Sequence, residues 1–368
     1  MTEHRLGIIM NGVTGRMGTN QHLIRSILAI MNDGGVQLDN GDTIMPDPIL
    51  VGRNAEKVEA LTKEHGLARW TTDLEGAIAN PDDSLFFDSA STNLRAELLR
   101  KAIDAGKDIY CEKPSAGNLD DAIEVYLRAE KAGVRHGVVQ DKIFLPGLQK
   151  MKTLMNDGFF GRLLSVKIDF GYWVFEGDWK QAQRPSWNYR KEDSGGIILD
   201  MMPHWRYVLD NTFGSVKSVS CLGRVNIDKR WDENDAPYDA DADDASYALV
   251  ELEGGAVAQI FASWCTRVRK DDLVTFHADG THGAAVAGLT KCYTQDRPAT
   301  PSPVWNPDEP QTIPFFETWE EYGSDITFDN GFKSEWEMFI RSLYEDKPFH
   351  WNLREGAKGV QLAEAAMQ

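Results

Sequence analysis

The stretch Gly12-Val13-Thr14-Gly15-Arg16-Met17-Gly18 gives the strongest local indication of the fold of this chain. It follows an apolar segment, Arg5–Met10, that predicts a short buried strand, and it precedes a helix-like stretch from residue 20 to residue 31. A strand, a glycine turn and a helix in this order predict a dinucleotide-binding unit. Glycines let the backbone turn sharply and approach a pyrophosphate, which binds free N–H groups at the helix N-terminus. The spacing is G-x-x-G-x-x-G instead of the commoner G-x-G-x-x-G, so the turn alone also fits an ordinary glycine-rich loop.

A second motif, Glu112-Lys113-Pro114, follows the apolar strand predicted at residues 109–111. About ninety residues later come Asp200 and His204, four positions apart on a predicted helix. At that spacing two side chains lie one turn apart on the same helix face. Transfer of a hydride from an alcohol needs one group to take the hydroxyl proton, one to tune that base and one to hold the substrate. Lysine, aspartate and histidine beside a nucleotide fold supply these groups.

Together these residues resemble the glucose–fructose oxidoreductase / inositol dehydrogenase family, Gfo/Idh/MocA. The resemblance covers nearly the whole chain. It rests on the glycine turn, residues 87–93, residues 105–114, the pair Gly195-Gly196, and Asp200-x-x-x-His204. The combination of the lysine motif with the Asp/His pair is specific, whereas either alone would be weak.

Two domains are predicted, 1–145 and 146–368, and the chain of 368 residues is long enough for both. In the first domain strands alternate with helices, which predicts a Rossmann-type, doubly wound parallel sheet with helices on both faces. Residues 33–48 are predicted to form an exposed, glycine-rich loop before a strand at residues 49–52.

The second domain shows alternating apolar and polar residues, which is typical of half-buried antiparallel strands. Such strands are predicted at residues 163–172, 215–225, 245–252, 256–265 and 273–278. The resemblance implies an α+β domain with one large open sheet. Helices predicted at residues 332–343 and 353–367 are expected to pack back on the first domain.

The resemblance also implies which residues bind the dinucleotide. They are Gly12, Thr14, Gly15, Arg16, Met17, Arg53, Asn54, Ser91, Asn93, Glu112 and Lys113. Folds that prefer NAD usually carry an acidic residue at the end of the second strand, where it binds the ribose 2′-hydroxyl. This chain has Gly52-Arg53-Asn54 there. Because an arginine can pair with a 2′-phosphate, the sequence favours NADP over NAD, with Arg16 as a second phosphate ligand. An arginine at this position does not exclude NAD.

The predicted catalytic residues are Lys113, Asp200 and His204. A neutral imidazole can accept a proton near pH 7, so His204 suits the role of base. Lys113 could act as base in a desolvated site or could orient the hydroxyl. Asp200 would bind a neighbouring hydroxyl. The sequence leaves open whether Lys113 or His204 is the base.

The predicted substrate site adds four residues to these three. Trp187 and Tyr189 lie in an aromatic-rich segment, and flat aromatic faces stack on the C–H faces of pyranose rings. Asp141 and Lys142 follow a predicted strand end of the first domain, where ligands of open parallel sheets gather. The predicted substrate is therefore a sugar, a glycoside or a cyclitol.

Composition bounds the partners of the protein. A formal net charge of −18 argues against a nucleic-acid partner. No apolar run approaches the length of a membrane span, and the four cysteines show no C-x-x-C pairing, which predicts a cytoplasmic protein with reduced thiols. The acidic residues 232–244 lack the glycine and the final glutamate of a calcium loop, so no metal site is predicted. The resemblance implies a homo-oligomer, dimer or tetramer, joined through one face of the second-domain sheet.

The predicted activity is NAD(P)-dependent hydride transfer between the nicotinamide and a secondary hydroxyl or ketone. One alternative is an enzyme that keeps its NAD tightly bound and cleaves a glycosidic bond through a 3-oxo sugar. Another is a regulator that senses the dinucleotide without turnover. The intact set Lys113, Asp200 and His204 argues against the regulator, since a sensor needs none of them.

Overall fold

A computed structural model describes residues 2–345 and 347–368. The chain divides into two compact units. Unit 1 comprises the residues up to Phe144 together with Asp329–Glu364, and unit 2 comprises Leu145–Phe328 with Ala365–Gln368. The predicted second domain, 146–368, thus includes a C-terminal segment that clusters with unit 1.

Unit 1 is built on a sheet of seven strands in the order β2-β3-β1-β5-β6-β7, with β4 paired to β3. All pairs are parallel except β2 with β3. β1 lies inside the sheet, and its residues from Leu6 to Asn11 are all buried. The strands are β1 (Glu3–Asn11), β2 (Val36–Gln37), β3 (Thr43–Val51), β4 (Trp70–Thr71), β5 (Leu85–Asp88), β6 (Asp108–Cys111) and β7 (His136–Val138).

Helical segments connect these strands. A π-helical segment, Gly18–Leu28, follows β1 and continues as a short α-helix. Side chains of Asn54, Asp73 and Asn118 cap three of the helices by accepting N–H groups of the first turn. The helices are α1 (Ala29–Asn32), α2 (Ala55–Glu64), α3 (Leu74–Ala79), α4 (Thr92–Asp104) and α5 (Leu119–Ala132), and a 3₁₀ turn, Asp141–Phe144, follows β7.

The loop predicted at residues 33–48 is wrong for much of its length, because β2 and the first half of β3 lie there. β3 pairs with β1 over nine residues despite Pro46 and Pro48. The reason is the direction of the N–H groups. Leu50 and Gly52, which share the parity of the prolines, donate away from β1, to the carbonyls of Arg69 and Thr71. At Pro46 and Pro48 the side of β3 away from β1 has no strand partner, because β2 and β4 pair with β3 at other residues. The N–H groups that the prolines lack would point to that side, so their absence breaks no hydrogen bond of the sheet.

Unit 2 contains an eight-stranded sheet in the order β17-β16-β15-β14-β8-β13-β12-β9, and a separate pair, β10 with β11. Its helices are α6 (Pro146–Asn156) and α7 (Ile197–Val208), with a π-type turn at Leu209–Phe213 and 3₁₀ turns at Ser186–Tyr189, Lys191–Asp193 and Phe315–Thr318. The strands are β8 (Leu163–Gly171), β9 (Val216–Arg224), β10 (Lys229–Trp231), β11 (Pro237–Asp239), β12 (Ala245–Leu252), β13 (Val257–Ser263), β14 (Val274–Gly280), β15 (Gly283–Ala287), β16 (Cys292–Asp296) and β17 (Glu320–Glu321).

The large sheet is antiparallel apart from the parallel pair of β8 and β13. Along β12 exposed and buried residues alternate, which gives the sheet one packed face and one exposed face. Apolar side chains nevertheless lie on the exposed face, among them Leu222, Tyr247, Leu249 and Val257. The predicted fold class, a Rossmann-type unit followed by a mainly antiparallel sheet, is confirmed.

Two C-terminal helices, α8 (Gly331–Tyr344) and α9 (Leu353–Met367), follow β17. Leu353, Ala357 and Val360 of α9 belong to the same hydrophobic core cluster as Ile9 of β1 and Phe86 of β5. The C-terminal segment thus fills the core of unit 1. None of the helices in the described residues is long and apolar enough to cross a membrane.

Candidate active site

The glycine turn after β1 is shaped by close backbone approach. Gly12 has a φ of 75°, and a Cβ on it would lie 2.5 Å from the nitrogen of Ala90. A Cβ on Gly18 would lie 2.7 Å from the carbonyl oxygen of Gly12. Both positions therefore require glycine. Thr14, Gly15 and Arg16 are exposed in this turn, and Met17 is half-buried, so the turn presents its backbone where a pyrophosphate can reach a helix N-terminus.

The end of β3 lies beside this turn. A Cβ on Gly52 would lie 3.4 Å from the side-chain methyl of Thr14. Arg53 is exposed, whereas the side chain of Asn54 accepts the N–H of Lys57 at 2.9 Å and caps α2. Their place at the adenosine ribose of a dinucleotide stays a prediction, and they put a guanidinium where NAD-preferring folds carry a carboxylate.

A buried ion pair links the ends of three neighbouring strands. Asp88 of β5 accepts Nδ2–H of Asn11 at 2.8 Å and Nε–H of Arg95 at 3.0 Å. The same guanidinium donates to the carbonyl oxygens of Ala90 and Pro114. Because Arg95 and Asp88 are buried, this pair holds the turn after β5 and the proline of the lysine motif in fixed positions. The predicted cofactor residues Ser91 and Asn93 are exposed at the start of α4.

The lysine motif lies at the end of β6, and its Lys113–Pro114 peptide is cis. The Glu112 carboxylate accepts the backbone N–H of Lys113 at 3.0 Å, and its other oxygen lies 2.8 Å from Nε2 of His22. Burial alone would raise the pKa of Glu112, but the His22 hydrogen bond and nearby Lys113 and Arg95 outweigh burial and lower that pKa. The carboxylate of Glu112 is thus engaged within the protein.

The remaining predicted residues of unit 1 follow β7. Asp141 and Lys142 are half-buried, and Nζ of Lys142 lies 2.5 Å from the Asp141 carboxylate. Because carboxyl ends of parallel strands meet at one edge of a sheet, the residues after β1, β3, β5, β6 and β7 share that edge.

In unit 2, α7 carries the Asp/His pair. Gly196, with a φ of 115°, precedes the helix, and Asp243 accepts the N–H of Ile198 at 2.7 Å. Pro203 lies inside α7, between the pair. His204 is buried, and its Nδ1 lies 2.5 Å from the hydroxyl of Tyr207.

Asp200 forms an ion pair with Arg184, whose Nη2 lies 2.7 Å from Oδ2. The guanidinium also donates to Asn188 Oδ1 at 2.9 Å and to the Tyr172 hydroxyl at 3.2 Å. It stacks on Trp264 with Cζ 4.1 Å from the ring centroid. Burial alone would lower the pKa of Arg184, but the charge of Asp200 and contacts with Tyr172 outweigh it and raise that pKa.

Trp187 and Tyr189, the two aromatic residues predicted in the substrate site, differ in exposure. The side chain of Trp187 is 48% exposed, whereas Tyr189 is 1% exposed. The Tyr189 ring lies 3.8 Å from Cζ of Arg230 and 5.4 Å from the Trp264 ring. Burial raises the pKa of Tyr189. Tyr189 packs in the interior of unit 2, and its role as a substrate wall stays a prediction.

The structure groups the predicted residues into two sets. Lys113, Asp141, Lys142 and the cofactor residues belong to unit 1, and Trp187, Tyr189, Asp200 and His204 belong to unit 2. The three proposed catalytic residues thus come from both units. Among residues 2–345 and 347–368, no group of three or more His, Cys, Asp or Glu side chains could hold a metal ion.

Comparison with known proteins decides the family. Residues 49–140 match an oxidoreductase family with an NAD-binding Rossmann fold, and residues 148–286 match the GFO/IDH/MocA C-terminal domain. The chain belongs to the Gfo/Idh/MocA family. As a member it is an NAD(P)-dependent oxidoreductase acting on CH–OH groups, which confirms the predicted family and enzyme class.

Individual similar proteins cover between 69% and 99% of the chain. It is 51% identical over 365 residues to a D-xylose dehydrogenase of Paenarthrobacter nicotinovorans, covering 98% of this chain and 94% of that one. It is 24% identical over 261 residues to a 1,5-anhydro-D-fructose reductase of Ensifer adhaerens, covering 69% and 70%. The structure of levoglucosan dehydrogenase with NADH and levoglucosan shares the fold, with a TM-score of 0.79 at 20% identity, covering 99% and 96%.

Sequence reasoning missed four residues that organise these groups: His22, Arg95, Arg184 and Tyr207. Two of them left a signal. His22 lies one helical turn beyond Gly18, and Tyr207 lies three residues beyond His204, where a helix brings side chains together. Arg95 and Arg184 carry no local signal, because their partners are set by tertiary folding.

Proposed function

We propose that this member of the Gfo/Idh/MocA family oxidises a hydroxyl group of an aldose such as D-xylose. The observation that carries the proposal is the 51% identity, over 98% of the chain, to a D-xylose dehydrogenase. The residues of unit 2 support it. The Asp200–Arg184–Asn188 array offers polar groups for hydroxyls, and Trp187 offers an exposed aromatic face for a pyranose ring.

We assign the chemistry to Lys113, Asp200 and His204. A dinucleotide held by the predicted cofactor residues of unit 1 would supply the hydride acceptor. His204 or Lys113 takes the hydroxyl proton, and Asp200, held by Arg184, binds a neighbouring hydroxyl. The Tyr207 hydroxyl lies at Nδ1 and orients the imidazole.

A panel of aldoses and glycosides, assayed for NAD(P)H formation, tests the substrate class. On the best substrate, Lys113→Ala, Asp200→Ala and His204→Ala should each lower kcat/KM by about 10²–10⁴-fold. Dinucleotide affinity should change little. The Lys113→Ala/His204→Ala double variant should lose much less than the product of the singles, because residues of one catalytic unit are non-additive. Retention of most activity by His204→Ala would remove that residue from the mechanism.

We also propose that the enzyme prefers NADP. Support comes from exposed Arg53 beside the glycine turn and the lack of an acidic residue at the end of β3. Arg53→Ala should weaken NADP(H) binding about ten- to a hundred-fold and NAD(H) much less, since a charge-assisted contact contributes about 1.5–3 kcal/mol. Calorimetric titration of both cofactors measures this, with exposed Lys63→Ala on α2 as control. Wild-type preference for NAD would refute the assignment.

We further propose a cytoplasmic homo-oligomer, dimer or tetramer. The four cysteines are free, which fits a reducing compartment. The exposed apolar side chains of the large sheet in unit 2 support association through that face.

A further inference from the structure

A buried hydrogen-bonded chain in unit 1 reaches the lysine motif from the C-terminal helix α8. Nε1–H of Trp336 donates to Nδ1 of His22 at 3.0 Å. Nε2 of His22 lies 2.8 Å from Oε1 of Glu112, and Oε2 of Glu112 accepts the backbone N–H of Lys113 at 3.0 Å. His22 and Trp336 are fully buried, and Glu112 is nearly so.

The donors and acceptors along this hydrogen-bonded chain follow from the chemistry of Trp336, its first member. The indole of tryptophan can only donate a hydrogen bond. Nδ1 of His22 must therefore be the unprotonated nitrogen, and its proton is on Nε2, from which it is donated to Glu112. Trp336 thus fixes the tautomer of His22, and both oxygens of Glu112 act as acceptors.

We infer that His22 and Trp336 are positioning residues for Lys113. They hold the Glu112 carboxylate in the orientation that also accepts the backbone N–H of Lys113. The backbone from which the lysine side chain extends is thereby held in place. Aromatic packing keeps the imidazole in place, since its ring lies 4.4 Å from Phe87 and 5.2 Å from Phe332 between centroids. The inference rests on the proposed function in that Lys113 is taken to serve catalysis.

A double-variant cycle distinguishes this role from ordinary packing. Glutamine at position 112 has one acceptor and one donor, so in Glu112→Gln either His22 or the Lys113 N–H faces an NH₂ group. Trp336 prevents His22 from changing its tautomer to relieve this conflict. Trp336→Phe removes that restriction, and His22 can then accept from the new amide.

We expect Trp336→Phe and Glu112→Gln each to lower kcat by roughly five- to a hundred-fold, the range for a buried hydrogen bond left unmade. Substrate KM and dinucleotide affinity should change less than kcat. In the Glu112→Gln background, Trp336→Phe should cost little or restore activity. If the loss of kcat in the double variant equals the product of the two single losses, the inference is wrong.

Phe339→Leu is the matched control. Phe339 is fully buried on the same helix and stacks on Tyr110 with centroids 4.6 Å apart, but its ring makes no conventional hydrogen bond. The loss of kcat in the Phe339→Leu/Glu112→Gln double variant should equal the product of the two single losses, with no recovery of activity. Recovery in this control equal to that with Trp336→Phe also overturns the inference.

A direct measurement keeps the inference testable if a variant fails to fold. Nitrogen chemical shifts of His22 in the wild-type protein should show the Nε2–H tautomer, and Trp336→Phe should allow the Nδ1–H form. An Nδ1–H tautomer in the wild type overturns the inference. Full activity of Lys113→Ala would instead refute the catalytic role of Lys113, while the wild-type tautomer would still report on the chain from Trp336 to Glu112.

Discussion

At the scale of single residues, Arg184 controls the surroundings of Asp200. Its planar guanidinium contacts Asp200, Asn188 and Tyr172 at once and lies against the Trp264 ring. A lysine could supply the charge but not this fork of donors. Arg184 therefore pairs with the Asp200 carboxylate and fixes its orientation.

The first prediction is that Arg184→Met lowers kcat/KM about ten- to a hundred-fold, since a hydrogen bond to a charged group contributes about 1.5–3 kcal/mol. Arg184→Lys should restore only part of this loss, because an ammonium supplies the charge without the fork of donors. Arg190→Met, whose guanidinium lies over Tyr238 instead, should change kcat/KM much less. Steady-state kinetics of the three variants measure the difference.

Glu335, also of α8, gives a prediction for stability. The carboxyl is fully buried and accepts the N–H of Gln140 at 2.8 Å. Burial raises its pKa well above the ordinary value of 4.5. The folded protein therefore keeps a proton that the unfolded chain loses above that value, and this contribution to stability falls as pH rises, by about 1.4 kcal/mol per pH unit.

Glu335→Gln removes this titration while keeping the shape of the side chain. Its free energy of unfolding, relative to wild type, should increase as the pH is raised above the ordinary carboxyl pKa of 4.5. Urea denaturation at several pH values measures the difference. A difference that does not depend on pH would mean that Glu335 does not retain its proton in the folded state.

At the scale of elements, local patterns predicted most helices and strands because periodicity and caps are local signals. The helix predicted at residues 353–367 has the bounds of α9, and α5 carries such local signals at both ends, with Asn118 as cap and Gly133 at its C-terminus. The first half of β3 escaped prediction because its prolines indicate a loop unless the pairing on each side is known. The Asp/His pair on α7 was readable from spacing, whereas the Asp200–Arg184 pair joins a loop to a helix and required the fold.

The C-terminal helix α9 also yields a prediction. Leu353 is fully buried in the core cluster of unit 1. Leu353→Ala should lower the free energy of unfolding by about 2–5 kcal/mol, through lost burial and the cavity that remains. Leu127→Ala on α5, where the side chain is 57% exposed, should change it by less than about 0.5 kcal/mol. Equal effects in chemical denaturation would mean that α9 is not part of the cooperative core.

At the scale of the whole molecule, the sheet face of unit 2 and the net charge act in opposite directions. Tyr247 lies opposite Leu222 in the strand register, and its ring lies 5.2 Å from Phe261. Leu249 and Val257 are exposed on the same neighbouring strands, and exposed apolar side chains grouped in this way are typical of an interaction surface. A formal charge of −18 on each chain opposes self-association at low salt.

The last prediction follows from this balance. Light scattering at micromolar concentration should report a dimer or tetramer, and the association should strengthen as salt screens the charge. Tyr247→Glu with Leu249→Glu should shift the protein to smaller species, because carboxylates on this face would lose their hydration in the interface. The matched control is Ile123→Glu with Leu127→Glu, a comparably exposed apolar pair on α5 of unit 1, which should leave the assembly intact. A wild-type monomer, or equal dissociation of both double variants, would show that this sheet face does not join subunits.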